Sequence, residues 1–156
     1  MIRLLLLFFC LTLGSAEEQP DRTEENTEES TETRFFTGSH EHLVAKAKRD
    51  QRPFVLAFHT TWCEPCKRME ALVYSNSKVG TFIKNHYYAM KVDAESEVYR
   101  DLAAKHYVQN YPTIIIFSAE NEVLARLNGF QDEESLLVEL RKYTAKGLDL
   151  RFSPFR

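Results

Sequence analysis

Two cysteines three positions apart, Cys63 and Cys66, head the residues of this chain that could do chemistry. They sit in Trp62-Cys63-Glu64-Pro65-Cys66-Lys67, where an apolar run hands over to a helical pattern. At a helix start this spacing lets the two sulfurs touch. Cys63 would then face free backbone N–H groups and the positive end of the helix dipole, and both favour a thiolate. Pro65 has no N–H to donate, which costs nothing in a first helical turn. The chemistry this predicts is thiol–disulfide exchange. Cys63 attacks a substrate disulfide, and Cys66 resolves the mixed disulfide; run backwards, the same steps oxidise a dithiol. Glu64 should oppose a thiolate at Cys63 through its charge, and Lys67 should favour one. A zinc site takes about four ligands. The third cysteine, Cys10, lies far upstream and the five histidines are scattered, so neither metal nor cofactor is expected.

The elements that must position this pair alternate. Ser39 is a candidate N-cap for a helix to about residue 50. Phe54-Val55-Leu56-Ala57-Phe58 reads as a buried central strand, followed by a helix over about 64–73. Ser77 is expected to cap a further helix to residue 85, and 87–92 to form a second strand. Ser96 is expected to cap a helix through residue 106 with Val98, Leu102 and Ala103 on one face. Thr113-Ile114-Ile115-Ile116-Phe117 and 123–127 read as a hairpin about a turn at Glu120-Asn121-Glu122. A last amphipathic helix spans about 132–146, with Leu136, Leu137, Leu140 and Tyr143 inward. Strands that first alternate with helices and then form a hairpin predict an α/β fold: a mixed sheet with helices on both faces.

The 156 residues leave room for one such domain. Residues 1–16 carry Arg3, an apolar run and the small residues Gly14-Ser15-Ala16, the layout of a secretory signal peptide. The run is too short to span a bilayer comfortably. An uncleaved anchor is the alternative, and no other stretch resembles a membrane span. Residues 17–36 follow as an acidic tail; its stretch 17–33 sets eight carboxylates against Arg22, and nothing in that stretch can bury a core. Residues 37–147 form the domain and 148–156 a C-terminal extension that holds Phe152 and Phe155. With +1 in the signal and −7 in the tail, the total of −3 leaves +3 for residues 34–156. No basic run points to nucleic acid or a membrane surface. The expected place is therefore the secretory lumen or the exterior (the periplasm in a bacterium), with no membrane contact after cleavage. There the mature chain keeps only Cys63 and Cys66. A disulfide between them closes too small a loop to stabilise much, so the pair is better suited to redox chemistry.

Phe54 to Lys67, together with Tyr111-Pro112-Thr113 and a later Gly129, resemble the thioredoxin superfamily over about residues 37–146, and among its members the exported thioredoxin-like domains. The resemblance implies a thioredoxin fold. It implies activity as a protein thiol–disulfide oxidoreductase on protein thiols and disulfides, supplied by an upstream redox partner that the sequence leaves unnamed, with a monomer expected. It makes Pro112 the cis-proline beside the cysteines, and leaves the Tyr111 backbone to pair with an extended substrate strand. Trp62 would form part of the surface around Cys63, and Gly129 would let substrate approach closely. On their own residues, Pro112 also reads as a strand-start proline and Trp62 as packing. Two departures stand out. The family's buried acid, six positions before the first cysteine, is here Ala57, and the lysine that partners it falls near Ala89. His59 could substitute as a base, or be a core histidine. A peptide-binding or chaperone module with an idle disulfide is the competing function. A peroxidase is a poorer fit to a resolving cysteine at this spacing.

Overall fold

The computed structural model describes residues 33–144. The expected signal peptide, most of the expected acidic tail, and residues 145–156 with the expected C-terminal extension lie outside these residues. Helix α1 (His40–Arg49) starts at Ser39, whose side chain accepts from the His42 N–H. Strand β1 (Phe54–His59) leads into α2 (Glu64–Met69), which continues as one π-helical turn, Glu70–Tyr74. Then come α3 (Ser77–His86), β2 (Tyr88–Asp93), α4 (Arg100–Lys105), the hairpin β3 (Thr113–Phe117) and β4 (Val123–Asn128), and α5 (Glu133–Lys142).

The sheet order is β2-β1-β3-β4. β1 runs parallel to β2 and antiparallel to β3, and β4 is antiparallel to β3, with a bulge between Ile116 and Phe117. Successive strand residues face opposite sides, and both sides are covered. Phe54, Leu56, Phe58, Ile115 and Phe117 pack with Leu43 and Ala47 of α1 and Ala103 of α4. Val55, Ala57, Ile114 and Ile116 pack with Met69, Val79, Ile83 and Leu136 from α2, α3 and α5. This is the mixed sheet with helices on both faces that the pattern predicts, and β3 has the expected bounds.

Several local expectations give way. Asn76, not Ser77, caps α3: its side chain accepts from the Lys78 N–H. Ser96 caps no long helix. Its hydroxyl donates to the Asp93 carbonyl and accepts from the Tyr99 N–H, closing turns that delay α4 to Arg100 and leave Val98 74 % exposed. The helix after Cys63 runs one residue beyond 73 and widens, its π turn closed by Ser75 N–H to Glu70 C=O. The wider turn brings Tyr74 round to the side of Met69 and Val73, and all three are buried. α5 stops at Lys142, with Tyr143 as its C-cap. Residues 33–36, assigned to the tail by composition, pack on the domain. Thr33 N–H donates to Tyr74 C=O, Phe36 N–H donates to Ala89 C=O, and the Phe35 ring meets Tyr74 edge-on at 5.1 Å.

Candidate active site

The parallel pairing of β1 with β2 and the antiparallel hairpin bring four chain segments to one end of the sheet. These are the end of β1, the end of β2, the loop before β3, and the end of β4. Cys63 is the N-cap of α2, and its sulfur accepts from the Cys66 N–H at 3.1 Å. Pro65 lies in the first turn. Cys63 and Cys66 form a disulfide, with Cα atoms 5.3 Å apart. In this closed form Cys63 is the more buried, at 2 % exposed, and Cys66 is half-buried. Glu64 and Lys67, read as opposing influences on Cys63, grip each other in an ion pair on the exposed side of α2. Their charges at the cysteine therefore largely cancel.

The Tyr111–Pro112 peptide is cis, as the resemblance implies, and Pro112 lines the same cavity as Cys66. The loop is tied down on both sides. Thr113, fully buried, donates through its hydroxyl to the Asn110 carbonyl at 2.7 Å, and Gly129 N–H donates to the Pro112 carbonyl at 2.7 Å. The β1–β3 ladder ends at Phe58–Thr113, before Tyr111. Gly129 has φ +79°, a conformation that favours glycine, and a Cβ there would meet nothing within 4 Å. The space in front of it is open. Trp62 is 63 % exposed and stands edge-on to Tyr111, ring centres 6.0 Å apart. Its Nε1–H donates to the Glu95 carboxylate at 3.0 Å. The structure thus gathers Trp62, Cys63, Cys66, Tyr111, Pro112 and Gly129 at one end of the sheet.

Sequence reasoning missed Glu95 and Lys91. Glu95 lies in the turn after β2, where no local pattern marks it. Lys91 is the register neighbour of Ala57 across the β1–β2 pair, whereas Ala89 pairs with Val55. Lys91 Nζ holds both oxygens of Glu70 at 2.9 Å. An ion pair on the π turn therefore stands beside the place of the absent acid. Only the strand register could have revealed it.

A family model described as a thioredoxin-like domain matches residues 41–144. A thioredoxin-like protein of Synechocystis is 25 % identical over 92 residues, 59 % of this chain and 82 % of that protein. The protein disulfide isomerase-like 1-1 of Arabidopsis thaliana is 28 % identical over 120 residues, 73 % of this chain. The chain spans only 23 % of that plant protein's length. In structure, a thioredoxin from Thermus thermophilus superposes with a TM-score of 0.68 at 23 % identity, covering 80 % of this chain and 97 % of that one, a likeness of fold.

Proposed function

Because the chain belongs to the thioredoxin-like family, we propose that it is a protein thiol–disulfide oxidoreductase working through Cys63 and Cys66 on protein thiols and disulfides. The observation that carries this reading is the Cys63–Cys66 disulfide at the head of α2, with a backbone N–H on the Cys63 sulfur. In the reductive direction the Cys63 thiolate attacks one sulfur of a substrate disulfide, and the other sulfur leaves as a thiolate. Cys66 then attacks Cys63, restores the enzyme disulfide and releases the second substrate thiolate. The N–H groups at the start of α2 stabilise negative charge on Cys63 when it leaves or waits.

Tyr111, cis-Pro112, Trp62 and Gly129 form the substrate surface in this reading. An extended peptide adds to the Tyr111 backbone beyond the end of the β1–β3 ladder, and the open space before Gly129 admits its main chain. The exposed Trp62 ring, oriented by Glu95 and Tyr111, covers one side. Residues 1–16 support work outside the cytosol, as do relatives named as disulfide isomerases and as thiol:disulfide interchange proteins. No helix among the described residues is long and apolar enough to cross a membrane.

Insulin-disulfide reduction tests the assignment. Cys63→Ser should abolish turnover, and Cys66→Ala should accumulate a mixed disulfide on Cys63. An adduct that forms instead on Cys66 in the Cys63→Ser chain would exchange the two roles. Turnover in the absence of both sulfurs would end the reading.

A further inference from the structure

We propose that His59 accepts the proton of Cys66 when Cys66 resolves the mixed disulfide, acting through the cavity that Ala57 lines behind the cysteine pair. This rests on the exchange reaction just described. Alternation along β1 puts Val55, Ala57 and His59 on the face covered by α2 and the π turn. His59 is the last residue of β1, half-buried, and it shares a cavity of about 300 Å³ with Cys66, Ala57, Thr60 and Tyr74. The small Ala57 side chain lines that space.

Two buried hydroxyls stand in this largely apolar cavity. Thr60 Oγ1 and Tyr74 Oη are both buried, and among the described residues neither has a hydrogen-bond partner. They offer fixed points for water between the thiol and the imidazole. Burial first, and then the Glu70 charge, push the Tyr74 phenol well up, so it stays protonated and serves only as a relay.

The charged groups around His59 come from three elements. Lys67 of α2 is engaged by Glu64, and Glu70 of the π turn is engaged by Lys91 of β2. Asp93, the register partner of His59, adds a carboxylate at the end of β2 and accepts from the Glu95 N–H. The two ammonium groups are thus matched by carboxylates. Chemistry separates the candidate acceptors. An imidazole lies about two pH units below a thiol in proton affinity, and a carboxylate about four, so as a class the imidazole is the better partner near neutrality.

The step balances as follows. The Cys66 thiol gives its proton to the His59 ring, directly or through water. The Cys66 thiolate attacks the Cys63 sulfur, the Cys63–Cys66 bond forms and the Cys63–substrate bond breaks. The electron pair leaves with the substrate sulfur, which takes a proton from solvent. The enzyme dithiol is oxidised and the substrate disulfide is reduced. In the reverse direction His59 returns the proton.

Stopped-flow mixing of the reduced protein with glutathione disulfide separates the two steps. The first glutathione released reports attack by Cys63, and the second reports resolution by Cys66. His59→Ala and the isosteric His59→Gln should leave the first step unchanged and slow the second about 100-fold at neutral pH. Added imidazole should restore much of the rate in His59→Ala, which no purely structural role predicts. The proposal is overturned if the second step keeps its rate in both variants, or if Glu70→Gln slows it as much while the His59 variants do not. Absence of a first glutathione release from the unaltered protein would overturn the exchange reaction itself, and this proposal with it.

Discussion

At the scale of single residues, the cysteine pair works in a field set by Glu64 and Lys67, which neutralise each other on an exposed surface. Glu64→Gln leaves Lys67 to act alone, favours the Cys63 thiolate and should raise the reduction potential of the couple by about 10–30 mV, one pKa unit being about 30 mV for two electrons. Lys67→Gln should lower it by a similar amount. Glutathione equilibria of both variants check this, and shifts of the same sign would reject the charge account. Gly129 makes a different kind of demand. A methyl group there would meet no atom, yet φ is +79°. Gly129→Ala should therefore cost about 1–2 kcal/mol in denaturant titration through the backbone alone. Cys63, Cys66 and Pro112 were legible in the sequence because each supplies something only its residue type can supply. Lys91 and Glu95 were not. Both are ordinary surface residues in the sequence, and they matter only through a strand register and a turn that place them against Glu70 and Trp62.

At the scale of elements, the helices test how caps are chosen. Asn76→Ala removes the cap of α3 and its 2.7 Å hydrogen bond to Glu133, and should cost about 1 kcal/mol or more. Ser77→Ala, the cap expected from the sequence, should cost only a few tenths on the same scale. Adjacent Asn and Ser are equally good caps on paper, and packing of Val79 and Ile83 decides which starts the helix. The π turn was invisible for the same reason: it answers to Met69, Val73 and Tyr74 all needing burial, a constraint that lies across the sheet and not along the chain. The opposite face carries two histidines, His40 on α1 and His106 just past α4. Burial lowers the proton affinity of both. Lys105 lowers it further at each, and His40 and Arg126 add to the effect at His106, while Glu41 partly offsets it at His40. Their folded-state pKa values lie below those of the unfolded chain, so the unfolded chain binds protons first as pH falls. Their contribution is complete above about pH 7 and should decline as pH falls below about 6.5. Asp132, held low by the Ser135 N–H that it caps, acts in a separate window below about pH 4. Thermal melts between pH 5 and 7 should flatten in a His40→Gln, His106→Gln chain, and an unchanged slope would reject the account.

At the scale of the whole molecule, alternating helices and strands were enough to predict the layered α/β plan, because burial on both faces is written into the unbroken runs Phe54–Phe58 and Thr113–Phe117. The domain's beginning was not legible. The Glu-rich run upstream masks Thr33–Phe36 in composition, although Phe35 and Phe36 are the aromatic residues that fasten it down. A chain that starts at Gly38 should be less stable than one that starts at Thr33 by about 2 kcal/mol, from the lost aromatic burial, as read from urea midpoints. The same short segment decides how the molecule meets its own copies. An open sheet has two margins at which a foreign strand can join, and growth into a fibre needs both. Phe36 covers part of the β2 margin with its hydrogen bond to Ala89. The other is β4, a margin kinked by the bulge opposite Ile116 and Phe117 and carrying Arg126. Cover on one margin should slow such growth, so at high concentration a chain that starts at Gly38 should aggregate sooner than one that starts at Thr33, as read by light scattering.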